Sequence, residues 1–408
     1  MAYPQESIHL GIMISQRQAD EGECADSPPL QMPEDLFCRQ LCKFGRKLGI
    51  NAYLFDASCP QHASAISGYT LNHGVWERVS MPLPDIVYDR TMCRTARQIE
   101  LRSRTLAALK QKKSFILMNG SLPDKWNVHT LLQQDEEMQP WLVPSARYEG
   151  SGQLIMLEKQ HPYGLFLKPS AGTHGKGALH VFRSGGKYRI EGRDRHNGII
   201  ACEFNHLWEA ADWIQRFASG TYLVQPYLRL SGDNDRPFDV RALIQKNNRG
   251  HWSFTGAALR EGERGSVTSN LHGGGKAVGA SESLTRRFGG DTAARLLADI
   301  RRISQRAAVR LEESCGRLAE IGFDFGIEPD GRLWLLEANA KPGRAAFAGD
   351  KQTERSAVLQ PLHYAVWLAN CQNPFFKPTT RARFMRRDTD PMITVDAIQR
   401  RYVQEVHP

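Results

Sequence analysis

The sequence has no apolar run near the roughly 20 residues that a membrane-spanning helix needs, which argues against an integral membrane protein. Residues 1–20 lack the basic start and apolar core of a secretory leader, so a cytoplasmic protein is expected. Paired cysteine motifs are also missing. The eight cysteines are scattered, and Cys38 and Cys42, which lie close together, fall on one side of a helix. That spacing does not match zinc-ligand motifs and reads as reduced, partly buried thiols. No glycine-rich turn follows the first expected strand, which argues against a dinucleotide site there. There is no internal repeat, and no familiar nucleic-acid motif accompanies the surplus of 53 Lys+Arg over 44 Asp+Glu. The resulting formal net charge of +9 is spread along the chain, so nucleic acid is not expected as a partner. An acidic or carboxylate-rich substrate suits it better.

A length of 408 residues suggests two or three domains, and a hydrophobic fraction of 41% is ordinary for a globular protein. Residues 8–14 read as a buried strand, 34–48 as an amphipathic helix ending at Gly49, and 50–55 as a second strand, a βαβ-like beginning. Strands at 85–90 and 114–118 flank a helix at 94–111 and complete an N-terminal α/β domain of about 120 residues. Further on, 205–219 reads as an amphipathic helix closed by Gly220. A long helix is expected from Asp291 to about Ser314, with Arg295, Arg301, Arg302 and Arg306 on a solvated face. Another helix spans roughly 356–369, and the tail after Asn373 is basic and weakly patterned, with a short helix expected at 395–404.

Several segments carry chemistry. Lys125 stands near the start of a helix at about 126–134 and, judged alone, is a solvated surface lysine. A short strand at 164–168 ends in Lys168, and the loop Ser170-Ala-Gly172-Thr173-His174-Gly175-Lys176-Gly177 leads into another strand at 178–182. Three glycines allow positive φ and bring several N–H groups near an anion, whereas an ordinary hairpin needs only one or two; phosphate binding is therefore favoured. The strand 221–228 contains Gln225 and Pro226, and proline cannot continue a central ladder. The freed backbone groups can meet a purine edge, or the segment is simply an edge strand. Asp239 and Arg241 share a strand face, so Asp239 can hold Arg241 against a phosphate; a structural ion pair is the competing reading. A second strand is expected at 252–258. The loop from Asn270 through His272 to Lys276 is again glycine-rich, as suits a ligand approached closely or a mobile lid. His174 and His272 read as polar loop filler rather than proton-transfer groups.

The most informative stretch is a β-hairpin: 320–328, the turn Pro329-Asp330-Gly331-Arg332, then 333–341. A loop of two or of four residues gives the same register, which places Asp324 opposite Glu337, with Asn339 on the same face. Two facing carboxylates repel unless a cation lies between them, and an Asp/Glu/Asn cluster suits Mg²⁺ together with substrate phosphates. A solvated hairpin with chance acids is the alternative for this segment alone.

Taken in order, the turn lysine, the strand lysine before a glycine loop, Gln225-Pro-Tyr-Leu228, the Asp-x-Arg strand, the Asn-x-x-Gly-Gly loop and the hairpin resemble the ATP-grasp superfamily over about residues 115–345. More narrowly, Asp124-Lys125-Trp126, Phe238-Asp-Val-Arg241 and Leu336-Glu-Ala-Asn-Ala-Lys-Pro-Gly343 are similar to the YheC/YheD family, described as endospore coat-associated. The resemblance implies an α/β (α+β) chain with an ATP-grasp fold and an N-terminal α/β pre-ATP-grasp domain. The expected division is 1–122, a central subdomain 123–228, a C-terminal subdomain 229–370 and a basic extension 371–408.

It further implies that Lys125 and Lys168 contact nucleotide phosphates, that the loop with Gly172, Thr173, Gly175, Lys176 and Gly177 closes over them, and that backbone groups at Gln225 and Leu228 meet adenine. Asp233 would reach the ribose, and Arg241 and Asn270 would act at the γ-phosphate or acyl-phosphate side. Asp324, Glu337 and Asn339 would hold one or two Mg²⁺ ions, with Mn²⁺ an admissible substitute. Many superfamily members have Glu where Gln225 stands, which weakens the ribose and hinge assignments more than the metal site. The implied activity is an ATP-dependent carboxylate–amine ligase acting through an acyl phosphate on small-molecule or peptide substrates. Neither nucleic acid nor membrane is an expected partner, an oligomer is admissible, and the family description implies association with a forming spore. A phosphotransferase on the same scaffold, or a nucleotide-binding coat protein without turnover, stays open.

Overall fold

The strands of the described residues form three sheets. The structure, a computed structural model, describes residues 7–15, 32, 34–58, 64–93, 95–172, 175–230, 236–263 and 275–371. The first sheet holds β1 (Ile8–Ile14), β2 (Ile50–Asp56), β3 (Ala65–Asn72), β4 (Val75–Pro82), β5 (Ile86–Asp89) and β6 (Ile116–Leu117) in the order β4-β3-β2-β1-β5-β6. β2, β1, β5 and β6 run parallel, and β3 and β4 form an antiparallel hairpin at the other edge. Helix α1 (Asp35–Lys47) buries Phe37, Cys38, Leu41 and Cys42 against this sheet. Helix α2 (Ala96–Lys112) starts from a reciprocal Thr95–Gln98 capping box, which satisfies two otherwise orphaned N–H groups.

The chain then enters α3 (Lys125–Gln133), whose first turn is capped by Asp124. The second sheet follows, with β7 (Ala146–Arg147), β8 (Leu165–Pro169), β9 (Leu179–Ser184), β10 (Lys187–Arg193), β11 (Ile199–Phe204) and β12 (Tyr222–Pro226) in the order β11-β10-β9-β8-β12-β7. Helices α4 (Ser151–Glu158) and α5 (Leu207–Phe217) supply Leu154, Ala210, Ala211 and Ile214 to its core. The third sheet, ordered β15-β14-β13-β16-β17, is antiparallel: β13 (Phe238–Lys246), β14 (Trp252–Glu261), β15 (Lys276–Gly279), β16 (Glu320–Ile327) and β17 (Leu333–Asn339). Helices α6 (Ala280–Phe288) and α7 (Gly290–Cys315) lie with it, and α3 joins the same core through Val128 and Leu132. Helix α8 (Lys351–Cys371) returns to the first sheet, where Val358, Leu362, Ala365 and Leu368 are buried. No helix among the described residues is long and apolar enough to cross a membrane.

Most expected elements form near their expected bounds, with β3, β4, β7, β10, β11, β15, α4 and α6 in addition. The added strands are half-exposed and mix polar with apolar residues, so no core period marks them. The arginines of α7 are not simply a solvated face. Arg301 lies over the Phe254 ring at 5.2 Å and Arg302 over Trp141 at 5.3 Å, while Arg306 pairs with the buried Asp135 at 2.8 Å. These contacts tie α7 to its own sheet and to the segment after α3. The short helix expected at 395–404 lies outside the described residues.

Buried polar groups join the first sheet to the ends of the β16–β17 hairpin. Fully buried Glu320 accepts hydrogen bonds from the Tyr88 hydroxyl (2.5 Å), Gln245 Nε2 (3.0 Å), Arg90 and Arg344. Burial works to raise the Glu320 pKa, but the two guanidiniums outweigh it and hold the carboxyl below its usual range. Lys341 Nζ pairs with buried Asp89 at 2.8 Å, and Asn119 Nδ2 donates to the Ala340 carbonyl at 2.7 Å. Removing one member of a buried network leaves the others unpaired and desolvated. Glu320→Ala should therefore lower the unfolding free energy by about 3–5 kcal/mol in urea titration, whereas Glu100→Ala, which breaks the exposed pair with Arg104, should barely move the midpoint.

Candidate functional site

The hairpin ladder pairs Asp324 with Glu337 and Gly322 with Asn339, as the sequence leads one to expect, but by a different route. The loop is neither two nor four residues long. Glu328 N–H donates to the Arg332 carbonyl at 2.9 Å, which leaves Pro329, Asp330 and Gly331 as a three-residue connection with Gly331 at φ 81. That offsets the register by one near the turn, where Ile327 faces Leu333. A bulge at Leu336 restores it beyond Phe325. The bulge also reverses the alternation. Leu333 and Leu335 point into the core with Phe323 and Phe325, whereas Glu337, two residues on, comes within 3.9 Å of Lys125 Nζ on the opposite face. Leu336 lies on that face too, beside Gly326, where an added Cβ would come within 3.2 Å of Leu336 and 2.8 Å of Leu230.

Asp324 has its cation already. Arg241 grips both carboxylate oxygens, with Nη2 to Oδ2 at 3.0 Å, and Arg260 Nη2 reaches Oδ2 at 3.0 Å. Burial works to raise the Asp324 pKa, yet the two arginines hold it below the usual carboxylate range. The expected Asp239–Arg241 pairing is corrected. Residues two apart on a strand are farther from each other than from cross-strand neighbours, and the register sets Asp239 opposite Arg260 and Arg241 opposite Asp324. Asp239 accordingly takes two 2.6 Å bonds from Arg260. Arg260 was not anticipated, because the strand read from sequence stops at residue 258 while β14 runs on to Glu261. A longer apolar-polar alternation through Leu259 would have reached it.

Two lysines of the second sheet and α3 converge on the same place. Lys168, at the end of β8, comes within 3.5 Å of the Leu336 carbonyl. Burial first, then repulsion from Lys125, brings its ammonium down from 10.5 to about 8, against the attraction of Glu337 and Asp324. Lys125 Nζ donates to the Gly172 carbonyl at 2.9 Å, and its backbone N–H to the Ser170 carbonyl at 3.1 Å, so it is tied to the glycine loop rather than solvated. In that loop Gly172, Gly175 and Gly177 all have positive φ, but the Gly177 N–H is committed to the Asp194 carbonyl, and Lys176 is exposed. Gln225 lies on β12 beyond the last residue paired with β7, and its side chain donates to Ser145 Oγ at 2.6 Å. The Leu228 carbonyl accepts from the Leu230 N–H at 2.9 Å. Thr173, Asp233 and Asn270, with His174 and His272, lie outside the described residues.

Among the described residues no three His, Cys, Asp or Glu side chains gather to hold an ion by themselves. Asp324, Glu337 and Asn339 nevertheless share one face, and Glu337 keeps its carboxylate half-open with a lysine 3.9 Å away. Mg²⁺ takes one or two protein carboxylates and completes its shell with phosphate and water, so this set fits an ion that arrives with a nucleotide better than a resident one. Two open surface grooves, about 500 and 720 Å³, run along α7 and share no lining residue with this cluster.

Comparison with known proteins gives a match to the YheC/D-like ATP-grasp family over residues 114–368. The endospore coat-associated protein YheC of Bacillus subtilis (strain 168) is 30% identical over 329 residues, covering 79% of this chain and 86% of that protein. YheD of the same organism, also named endospore coat-associated, is 27% identical over 322 residues, covering 77% and 69%. Among solved structures, D-cycloserine synthetase DcsG superposes with a TM-score of 0.51 at 13% identity, covering 87% of this chain and 99% of that one. At that identity the likeness shows the fold.

Two measurements test the geometry. Deleting Leu336 removes the bulge but leaves Glu337 directly after core-facing Leu335, still opposite Asp324 and on the same face as Asn339, so the variant should keep metal-dependent nucleotide binding; loss of that binding in a folded variant would contradict the register. A bound phosphate stabilises the charged form of Lys168, so nucleotide binding above pH 8 should take up a proton, and affinity should fall as pH rises from about 8 toward 10.5. Calorimetry in buffers of different ionisation enthalpy reads this uptake, and Lys168→Met should abolish it.

Proposed function

The chain belongs to the YheC/D-like ATP-grasp family, and from that premise we propose that it is an ATP- and Mg²⁺-dependent carboxylate–amine ligase. One observation carries the reading most: lysines from the second sheet and α3 meet acids of the third sheet, with Lys168 at the Leu336 carbonyl and Lys125 3.9 Å from Glu337. Cations facing an acid-and-amide cluster across a cleft suit a metal-bound polyphosphate, where each charge has a partner.

In this reading Lys125 and Lys168 hold the nucleotide phosphates, and the loop with Gly172, Thr173, Gly175, Lys176 and Gly177 covers them. Backbone groups at Gln225 and Leu228 meet the adenine edge, beside the apolar wall of Leu336 and Leu230, and Asp233 reaches the ribose. Asp324, Glu337 and Asn339 would hold the divalent ion, which when bound would neutralise phosphate charge. A substrate carboxylate oxygen attacks the γ-phosphorus, and the bond to the β-phosphate oxygen breaks, releasing ADP and leaving an acyl phosphate. An amine then attacks the acyl carbon; the carbon–oxygen bond to phosphate breaks, and the amine proton leaves with phosphate or solvent. Arg241 and Asn270 stabilise the charge passing through the phosphoryl group. Positioning and neutralisation suffice, and no protein nucleophile is required. Cys38 and Cys42 agree with that: burial pushes the Cys38 thiol far up and Cys42 to about 12. The names of the two relatives carry the further proposal that the reaction takes place in the cytoplasm of a cell forming a spore.

Incubation with ATP, Mg²⁺ and pooled amino acids or peptides should yield ADP, stoichiometric phosphate and a condensed product. AMP with pyrophosphate would overturn the acyl-phosphate route, and ADP with a phosphorylated product but no free phosphate would make the protein a phosphotransferase. Glu337→Ala should lower kcat by about 10²–10³. Unchanged Mg-ATP affinity and unchanged biological activity in that variant would instead favour a nucleotide-binding coat protein without turnover.

A further inference from the structure

The parallel strands of the first sheet end in two cations that meet a single acid. β1 and β5 are parallel neighbours, and the strand order reverses between them, which is where an open α/β sheet presents a crevice at the carboxyl ends of its strands. The Met92 N–H donates to Ser15 Oγ at 3.2 Å and ties the two strand ends together. Asp89, fully buried, closes β5. Its Oδ1 accepts from the Thr91 N–H at 2.9 Å and the Thr91 hydroxyl at 2.7 Å, and its Oδ2 takes both Lys341 Nζ at 2.8 Å and Arg102 Nε at 2.5 Å. The cluster next to it is balanced, for Arg90 and Arg344 are matched by Glu34 and Glu320. At Asp89 one positive charge is left over.

The two cations are used differently. Lys341 turns its three donors inward, to Asp89, to the Thr91 carbonyl at 2.9 Å and to Thr91 Oγ1 at 3.1 Å, which is enough to fasten the hairpin end to β5. Arg102 gives Asp89 its Nε alone, and among the described residues its Nη1 and Nη2 have no partner. The side chain is 13% exposed and neither of those nitrogens is buried, so the open pair of the fork meets solvent. A guanidinium held almost dry beside a lysine, with that pair free, suits an anion arriving from outside. Lys341 follows Asn339 by two residues, so at most about 7 Å of chain separates it from the nucleotide cleft. The crevice therefore adjoins the place where a donor carboxylate would be phosphorylated, and its excess charge repels an acceptor that arrives as an ammonium. We propose that the Arg102 fork is an anion subsite for the acyl donor, and that the donor carries two carboxylates, one phosphorylated and the other held by Arg102 Nη1 and Nη2. This rests on the ligase reading and deepens it, since it gives the charge of the donor and the residue that reads it.

The test needs no knowledge of the amine, because hydroxylamine replaces it: its nitrogen attacks the acyl carbon of the acyl phosphate, the carbon–oxygen bond to phosphate breaks, and a hydroxamate and phosphate are released. The full chain is incubated with ATP, Mg²⁺, hydroxylamine and one of two donor pools. The first holds dicarboxylates and acidic dipeptides of graded length, and the second holds their monoamides, which match them in size but have one carboxylate fewer. The first pool should give hydroxamate with a kcat/KM at least about tenfold above the second. Arg102→Gln should erase that ratio through a raised KM for the donor, while KM for ATP stays within twofold of wild type. Arg102→Lys keeps the charge but not the fork, and should lie between them. Asp89 retains Lys341 and Thr91 in both variants. If Arg102→Gln does not fold, Arg102→Lys carries the same comparison. Equal rates from the two pools in the wild type, or a ratio unchanged within twofold in the variants, would overturn the proposal and leave the ligase reading in place. A KM for ATP that rises in step with that for the donor marks a merely structural role and would overturn it too. No hydroxamate from either pool, with Mg-ATP bound, would overturn the ligase reading itself and the subsite with it.

Discussion

A strand alternates its side chains with a period of two, and one surplus residue in β17 decides what that alternation delivers. Were Leu336 paired as an ordinary strand residue rather than bulged, Glu337 would continue the row of Leu333 and Leu335 into the apolar core. With the bulge, the first half of the strand packs under the sheet and the second half presents Glu337 and Asn339 to the cleft. The three-residue turn and the bulge act as a matched pair. Gly331 in the left-handed region allows a connection whose register is one residue off, and the bulge takes up the difference. The sheet thereby gains a buried face and a polar site from a single seven-residue strand.

Such a face gathers acids, and its neutralisation explains much of what surrounds it. Asp239, Asp324 and Glu337 are met by Arg241, Arg260, Lys125 and Lys168, which leaves one positive charge in excess if every group is ionised. Burial first, and then repulsion from Lys125, draws the Lys168 ammonium down to about 8. A site in that state favours a further anion over a further cation, and a metal ion accompanied by a triphosphate satisfies it as a bare metal ion does not. The same reasoning explains why the donor set does not form a closed metal cage among the described residues.

How much of this could be read from the chain depends on which forces fix each contact. The Asp324–Glu337 rung was legible because the turn signal and the apolar runs locate the hairpin, although the two compensating offsets that preserve the rung were not. The convergence of Lys125, Lys168 and the hairpin followed from motif order, since residues 114–368 match the family as a block. Pairing among charges was not legible. Asp239 and Arg241 share a face, but their partners come from neighbouring strands, and which residues those are depends on registers between segments up to 83 residues apart. Arg260 was missed for the same reason, at the unread end of its strand. The strands β3, β4, β10 and β11 went unseen because half-exposed hairpins carry little apolar period.

What holds the cleft in register is the chain immediately beyond Asn339. Lys341 is fastened to Asp89 and to the Thr91 carbonyl, Arg344 to Glu320, and the Ala340 carbonyl to Asn119, all within a few residues. Asp89 stands at the carboxyl end of β5, next to β1, where the strand order of the first sheet reverses. Buried pairs of this kind return little net stability compared with apolar packing, but stranding one member is expensive. Their effect is to penalise every arrangement except the one in which the hairpin end lies against the carboxyl ends of the parallel strands. A rotation of the first sheet would have to break Asp89–Lys341 and the Glu320 cluster together. The face that carries Glu337 and Asn339 is therefore placed by the N-terminal sheet as firmly as by its own strand partners, and the two act on the cleft as one rigid wall.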